Sequence, residues 1–349
     1  MRAITVVPGR QGSARLDEVD EPDESLGAML VEAVAMGVCG TDVEIVNGEY
    51  GWAPPGRERL VLGHESLGRV VEAPAGSGLS PGDLVAGMVR WPDPVPCPNC
   101  AVDEWDMCRN GRYTEHGIKE RDGFGSERWR VPPERAVRID PDLGHLGVLL
   151  EPASVLAKAW EHVERIGRRA RWEPHVALIT GAGPIGLLAA LLAVQRGLEV
   201  HVLDRVTEGP KPALVADLGG TYHTGGVVEA YKDPDVVIEC TGVGQVVLDT
   251  IGNLAPGGIV CLAGVAGAGR PLSIDAGALN RELVLENDVV VGSVNANRRH
   301  YQAAADALAR ADRAWLERLI TRRVPLERWS EALERGPDDV KVTVEFAAS

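Results

Sequence analysis

The sequence lacks any apolar run long enough to cross a membrane. The longest one, from Ile185 to Val194, is about half of the roughly 20 residues that a spanning helix needs. The opening segment, MRAITVVPGRQGSARLDEVDEP, also lacks the apolar stretch and cleavage site of a secretory signal. We therefore expect a cytoplasmic protein without a membrane partner.

Basic residues and cysteines are also scarce. The 36 Lys and Arg residues stand against 51 Asp and Glu residues, which gives a formal net charge of −15. Such a surface repels phosphate backbones, so nucleic acid and anionic membranes are excluded as expected partners. With only 6 cysteines in 349 residues and no secretory signal, we interpret the thiols as metal ligands or buried side chains rather than a disulfide framework.

The chain is too long for one hydrophobic core and predicts two domains. Up to about residue 150, Gly and Pro break the sequence into short β-like runs. Apolar strands then alternate with helical stretches, the pattern of a doubly wound α/β domain with a parallel sheet. The predicted strands are 175–181, 199–204, 235–242 and 258–264. We assign 1–155 and 293–349 to a mostly β domain, with a helical stretch at 301–320 and a final strand at 340–347, and 156–292 to the α/β domain.

A glycine-rich turn in the second domain predicts a dinucleotide site. The segment GAGPIG follows an apolar strand and opens an apolar helix, and this context makes the pattern specific for a Rossmann domain. Close backbone approach and the helix N-terminus would hold the pyrophosphate. The residues assigned to this site are Gly181, Gly183, Pro184, Ile185, Gly186 and Thr241.

The residues after the next strand bear on the choice of cofactor. Asp204 ends that strand, where a carboxylate accepts hydrogen bonds from the adenosine ribose and repels a 2′-phosphate. This favours NAD. The adjacent Arg205 could pair with the phosphate, so use of NADP stays open.

Two motifs in the first domain supply a mixed set of metal ligands. Cys39 lies in GVCGTD, and His64 and Glu65 lie in LGHES. A thiol, an imidazole and a carboxylate suit an open catalytic zinc site. Together with the glycine-rich turn, these motifs resemble the zinc-dependent medium-chain dehydrogenase/reductase superfamily over essentially the whole chain. The resemblance implies a GroES-like catalytic domain, a Rossmann domain and a homodimer or homotetramer.

The same resemblance implies roles for individual residues. Cys39 and His64 would bind zinc, with Glu65 as an inner or exchangeable ligand. Asp42 would orient His64, and Thr41 would bind the substrate and carry its proton.

A further acidic residue identifies a branch of the superfamily. Glu151, in LLEPASV, matches the sorbitol and sugar dehydrogenases, in which a glutamate before a proline replaces a second thiolate. We therefore predict Glu151 as a zinc ligand that also lies beside the substrate.

Two longer stretches, 113–129 and 283–301, resemble the glucose 1-dehydrogenase branch. By that likeness Glu115 and Asn295 bind sugar hydroxyls, and we assign Asn295 to the cofactor site as well. Unmatched hydroxyls are costly to bury, so paired polar groups suit a sugar. Some relatives carry Asn where Arg90 aligns and His where Leu285 aligns, which weakens the case for strict glucose specificity.

The predicted reaction is oxidation of the C1 hydroxyl of an aldose, with D-glucose first, to the lactone, with hydride transfer to NAD or NADP. Oxidation of a polyol or another secondary alcohol is the alternative within the same superfamily. A non-catalytic NAD(P)-binding protein is a third interpretation, against which the complete ligand set argues.

Three cysteines in CPNCAVDEWDMC predict a second metal site. The superfamily's structural zinc lobe uses four cysteines at relative spacings of about 3, 3 and 8 residues, and Cys97, Cys100 and Cys108 match the last three. The first position falls on Pro94, beside Asp93. The sequence leaves two outcomes, a zinc site completed by Asp93, which we favour, and an emptied lobe.

Overall fold

The computed structural model of the chain describes residues 1–265 and 271–346. Within these ranges the chain divides into two compact units, Met1–Ser154 with Asn295–Ser349, and Val155–Val294. The domain boundaries expected from the sequence, at 155/156 and 292/293, stay a prediction. None of the described helices is long and apolar enough to cross a membrane.

The first unit is built mainly from β-strands joined by irregular loops. Its elements up to the start of the second unit are β1 (Arg2–Val6), β2 (Arg15–Glu18), β3 (Met29–Val38), α1 (Gly40–Val46), β4 (Leu60–Val61), β5 (Glu65–Glu72), β6 (Leu84–Gly87), β7 (Arg90–Trp91), β8 (Thr114–His116), β9 (Glu120–Arg121), β10 (Arg128–Val131) and β11 (Ala136–Arg138). Helix α2 (Leu150–Gly167) begins in the first unit and belongs to the second unit from Val155.

The second unit alternates strands and helices. In chain order they are β12 (Val176–Thr180), α3 (Pro184–Val194), β13 (Glu199–Leu203), α4 (Pro210–Asp217), β14 (Thr221–His223), α5 (Val227–Ala230), β15 (Val236–Glu239), α6 (Gly244–Ile251), β16 (Ile259–Leu262), α7 (Ala276–Glu286) and β17 (Val289–Gly292).

The chain then completes the first unit. The remaining elements are α8 (Arg298–Arg310), α9 (Arg313–Leu319), β18 (Ile320–Pro325) and β19 (Lys341–Glu345).

The largest sheet of the first unit has seven strands in the order β11-β6-β5-β3-β19-β18, with β10 paired to β3. Its central strand β3 alternates buried and less buried positions before a fully buried end, as expected of a strand that packs one face on a core. Strand β19 pairs with the buried end of β3, with Val342 opposite Val38. The C-terminal segment is therefore an integral part of the first unit.

The second unit contains a six-stranded parallel sheet in the order β14-β13-β12-β15-β16-β17. Strand β12 lies at the centre and is buried along its whole length, which is typical of a sheet covered on both faces. The helix α3, apolar nearly all round, follows β12 and is buried from Gly186 to Ala193. This sheet and the β-rich first unit confirm the predicted fold class, a GroES-like domain with a Rossmann domain.

The four predicted Rossmann strands are found as β12, β13, β15 and β16. The sequence prediction missed the short strands β14 and β17. The stretch 301–320 forms two helices instead of a continuous one, because Asp312 accepts a hydrogen bond from the backbone of Ala314 and begins α9. Residue 347, the end of the last predicted strand, lies outside the described residues.

Candidate active site

Cys39 and His64 meet at the end of the buried part of β3. Cys39 caps α1 directly after β3, and His64 precedes β5, the antiparallel neighbour of β3. The Cys39 Sγ and the His64 Nε2 lie 3.0 Å apart. The Asp42 carboxylate accepts from the Cys39 backbone N–H at 2.9 Å, so the turn that presents the thiol is fixed by a reciprocal cap.

Asp42 also lies behind His64. Its Oδ1 is 3.4 Å from the His64 Nδ1, and both side chains are buried. Burial opposes ionisation of Asp42, but the facing His64 outweighs it and holds the pKa of the Asp42 carboxyl below its usual value. Burial likewise opposes the charged form of His64, yet the Cys39 and Asp42 charges raise the pKa of His64 well above its ordinary value. This pocket therefore has a negative field that attracts a cation.

Glu65 completes a compact group with these two residues. Possible ligand atoms of Cys39, His64 and Glu65 all lie within 4.8 Å of one another. The Glu65 carboxylate also forms a buried ion pair with the Nζ of Lys341. A side chain at Gly37 would collide with Glu65 and Lys341, so the glycine provides the room that this pair occupies.

Glu151 lies outside that compact group and is buried at the start of α2. Burial raises the pKa of Glu151 to about 7, and the Glu65 charge adds to this while His64 and Lys341 oppose it. Glu151 is thus close enough to the cluster for the charges of these residues to act on it. Thr41 lies in the first turn of α1, half-buried, and its backbone N–H donates to the Cys39 Sγ at 3.3 Å.

The residues present suit a zinc ion. The set offers a thiolate, an imidazole and carboxylates in a buried, negative pocket, which is the donor chemistry of catalytic zinc sites. Asp42 supplies the carboxylate that typically holds the second nitrogen of a ligating histidine.

A second polar cluster in the same unit contains both predicted sugar-binding residues. The Asn295 Nδ2 donates to the Glu115 Oε1 at 3.0 Å, although the two residues are far apart in sequence. Arg90 forms a salt bridge with the same carboxylate at 2.9 Å. All three residues are buried, so this cluster is a buried set of hydrogen-bonding groups.

The glycine-rich turn has the geometry that a pyrophosphate site requires. Gly181 has a φ of +86°, and a side chain at Gly186 would collide with the Gly181 carbonyl. Pro184 opens α3 with Gly183 as its N-cap, so the helix N-terminus faces the turn.

Asp204 is less available than the sequence indicated. Its Oδ2 accepts from the Ala182 backbone N–H at 2.6 Å and pairs with the Lys211 Nζ at 3.1 Å. Its Oδ1 accepts from the Val206 backbone N–H at 2.9 Å. Burial opposes ionisation, but these donors and Lys211 hold the pKa of Asp204 below its usual value. Arg205 is exposed.

Thr241 is positioned by an acidic residue that sequence reasoning missed. Glu239, at the end of β15, is fully buried. It accepts from the backbone N–H groups of Thr241 at 2.8 Å and Gly242 at 3.0 Å, and from the Thr180 hydroxyl at 3.0 Å. The sequence signal that could have identified Glu239 is a carboxylate at the end of an apolar strand.

The three cysteines of the lobe come together. Ligand atoms of Cys97, Cys100 and Cys108 lie within 4.8 Å of one another. The backbone N–H groups of Arg109 and Cys100 donate to the Cys97 Sγ at 3.4 and 3.5 Å, and they lower the pKa of the Cys97 thiol to about 6.

The Asp93 carboxylate does not join these thiols. It accepts from the Val95 backbone N–H and from the Asn110 Nδ2, both at 2.8 Å, and it lies 3.4 Å from the Arg112 Nε. The side chain is nearly fully buried in these contacts. Asp93 is nevertheless next to the lobe, because its backbone N–H donates to the Cys100 thiol. Its carboxylate is held by loop donors, and its role as a fourth zinc ligand stays a prediction.

Comparisons with known proteins cover the whole chain. Two family models match, the alcohol dehydrogenase GroES-like domain over residues 25–141 and the glucose dehydrogenase C-terminus over residues 144–346. The chain is 37% identical to a glucose 1-dehydrogenase of Methanocella arvoryzae and 39% identical to glucose 1-dehydrogenase 2 of Vulcanisaeta moutnovskia, with 100% of each protein covered in both cases.

A solved structure shows the same likeness. Haloferax mediterranei glucose dehydrogenase in complex with NADP, Zn and gluconolactone is 34% identical, matches with a TM-score of 0.92 and is covered over 100% of both chains. Both domains match family models, and full-length relatives are 37% and 39% identical. The chain therefore belongs to the glucose 1-dehydrogenase branch of the zinc-dependent medium-chain dehydrogenase/reductase superfamily.

Proposed function

We propose that the chain oxidises the C1 hydroxyl of an aldose, D-glucose first, to the lactone and transfers the hydride to NAD(P). The observation that carries this proposal is the convergence of Cys39 and His64, 3.0 Å apart, in a chain that matches glucose 1-dehydrogenases over its full length.

The proposed zinc ligands are Cys39, His64 and Glu151, with Glu65 as the exchangeable carboxylate. A zinc ion bound there supplies Lewis-acid polarisation of the substrate hydroxyl. Asp42 holds the His64 ring in its binding orientation. Lys341 holds Glu65 in a buried ion pair, and Glu151 would be the third ligand of a bound zinc ion.

Thr41 is the proposed carrier of the substrate proton. Its backbone N–H donates to the Cys39 Sγ, so Thr41 lies in the turn that also presents the thiol. A hydroxyl can accept one proton and donate another, which suits a relay towards solvent.

The Rossmann unit binds the dinucleotide. The turn Gly181 to Gly186 and the N-terminus of α3 hold the pyrophosphate, and Thr241 and Asp204 contact the rest of the cofactor. When bound, the nicotinamide accepts the hydride. A preference for NAD over NADP stays a prediction, as does a contact of Asn295 with the cofactor.

The sugar is held by Glu115 and Asn295. Both are buried polar side chains that accept and donate hydrogen bonds, as a polyhydroxylated substrate demands. A hydrophobic alcohol would leave these groups unpaired, so they select against it.

Zinc content and initial rates on a panel of sugars test this proposal. We expect bound zinc and turnover of aldoses with NAD or NADP, and loss of both in H64A. The panel includes sorbitol and xylitol, because faster turnover of a polyol would replace glucose oxidation with the alternative reaction. Absence of zinc, or of aldose turnover with either cofactor, overturns the proposal.

We infer a homo-oligomer formed through the Rossmann unit. Strand β17 ends the parallel sheet as the partner of β16, and its residues Val289 to Val291 are only half-buried. An apolar edge strand is a template for pairing with another strand. Size-exclusion chromatography with light scattering tests this inference, and a monomer would contradict it. A cytoplasmic location also stays a prediction.

A further inference from the structure

Arg90 lies directly opposite Glu115 in a small sheet of the first unit. Strands β7 and β8 are antiparallel, with Arg90 and Glu115 as register partners. The Arg90 Nε donates to the Glu115 Oε1 at 3.0 Å, and the Nη2 lies 2.9 Å from the same oxygen in a salt bridge. Both side chains are buried, so this pairing is shielded from water.

Asn295 adds a second hydrogen bond to the same oxygen. Its Nδ2 lies 3.0 Å from the Glu115 Oε1, and its own Oδ1 accepts from the Ala296 backbone N–H at 2.7 Å, which fixes the amide orientation. Within residues 1–265 and 271–346, no hydrogen bond reaches the Glu115 Oε2. This oxygen is also not fully buried, so a further donor can approach it. The Oε2 is thus the oxygen that Glu115 presents to a ligand.

The guanidinium itself is held at two further points. Its centre lies 3.8 Å from the centroid of the Tyr113 ring, and its Nη1 donates to the Asp106 carbonyl at 3.1 Å. A guanidinium fixed by a ring, a carbonyl and a carboxylate cannot turn away from Glu115. Its orientation therefore sets the orientation of the carboxylate.

A buried ion pair is weak evidence of a stabilising role. Removing two charges from water is costly, and well-packed apolar residues at such positions are often as stable. A buried pair with one unused carboxylate oxygen is better explained by binding than by stability.

We propose that Arg90 is a positioning residue that sets sugar specificity by locking Glu115 with its Oε2 towards the substrate. The proposal rests on the proposed function, in which Glu115 binds a sugar hydroxyl. Arg90 need not touch the sugar, because a single presented oxygen already requires a hydroxyl that donates from one direction. A sugar without that hydroxyl leaves the Oε2 unpaired and binds weakly.

The test compares R90M and R90K with the matched control R121M. Arg121 stacks on an aromatic ring in the same small sheet, 3.9 Å from the Trp91 centroid, and donates to the Thr114 hydroxyl, but it does not pair with Glu115. The kcat and KM values are measured for the best sugar of the panel, for its deoxy analogues and for NAD(P).

For R90M we expect the KM for the sugar to rise by about 10- to 100-fold, the loss typical of a charged hydrogen-bond network. The KM for the dinucleotide should stay within about 2-fold of the wild-type value, and R90K should recover part of the loss. Discrimination against the one deoxy analogue that lacks the recognised hydroxyl should nearly disappear in R90M and persist in R121M.

Equal KM values for R90M and R121M, or equal rises for sugar and dinucleotide, would overturn the proposal. Thermal unfolding and zinc content show whether R90M has a folding defect. If it has one, the KM of R90K for the sugar decides whether the proposal holds. If the wild type does not turn over any aldose, the proposed function is wrong, and this result does not test the role of Arg90. The same variants are then compared on the polyol that the wild type oxidises fastest.

Discussion

The Nζ of Lys341 forms an ion pair with the carboxylate of Glu65, and both side chains are almost fully buried. Lys341 also donates to the Val38 carbonyl at 3.1 Å. The last strand of the chain thereby reaches the group of residues that we assign to zinc. Removing one partner of a buried pair leaves an uncompensated charge.

We expect K341M to lower the free energy of unfolding of the metal-free protein by about 3–5 kcal/mol, because Glu65 would lose its buried cation. K341R, which keeps the charge, should lose less. Denaturant unfolding of the chelator-treated proteins measures both effects. A K341M protein that unfolds at the wild-type midpoint would show that the pair has no stabilising role.

The orientation of His64 gives a second prediction. Asp42 lies 3.4 Å from the His64 Nδ1, and loss of such a partner typically weakens metal binding by about 10- to 100-fold. We therefore expect D42N to bind zinc more weakly by about that factor, measured by competition with a chromogenic chelator. D249N is the control, since Asp249 is an exposed residue paired with Gln245. Equal zinc affinity in the two variants would contradict the role of Asp42.

The Rossmann unit was largely predictable from sequence. Its central strands are continuous apolar runs, and the glycine-rich turn marks the transition from β12 to α3. Strand β14 was missed because it has only three residues, Thr-Tyr-His, and no apolar run. Strand β17, Val-Val-Val-Gly, is an apolar run as long as β15 and β16 and was left unassigned.

The partners in the site were less predictable. Cys39 and His64 could be paired only through a family resemblance, since spacing alone does not show that two loops meet. The contacts of Arg90 with Glu115 and of Lys341 with Glu65 join distant segments and have no local signature. Lys211 is only seven residues from Asp204, but the loop between them has no periodicity that would predict their pairing. For Asp93, proximity in sequence suggested a metal ligand, but Val95 and Asn110 provide nearer donors for its carboxylate.

The pairing of Asp204 with Lys211 bears on the choice of dinucleotide. The lysine neutralises the carboxylate that would otherwise repel a 2′-phosphate, and it occupies an oxygen that the ribose would use. We expect K211M to lower kcat/KM for NADP by about 10-fold, equivalent to about 1.4 kcal/mol, and to leave that for NAD unchanged or higher.

The control for this comparison is K232M, which removes an exposed lysine that lies 3.8 Å from Asp233. Steady-state rates with both cofactors at saturating sugar give the ratio of the two efficiencies. If K211M and K232M have the same NADP to NAD ratio, Lys211 does not influence cofactor choice.

The cysteine lobe allows a prediction about metal content. The Cys97, Cys100 and Cys108 thiols meet, but the Asp93 carboxylate binds the loop instead. A closed zinc site needs about four ligands, so we now expect about one zinc per chain, at the catalytic site. P94C supplies a thiol at the position where the superfamily pattern has its first cysteine, and it should raise the content to about two. Elemental analysis of the purified proteins measures the zinc content. The D93N variant tests the alternative, in which Asp93 completes the zinc site of the lobe. If the wild type contains about two zinc ions and D93N loses one of them, Asp93 turns to the thiols when metal binds and the sequence-based ligand set is correct.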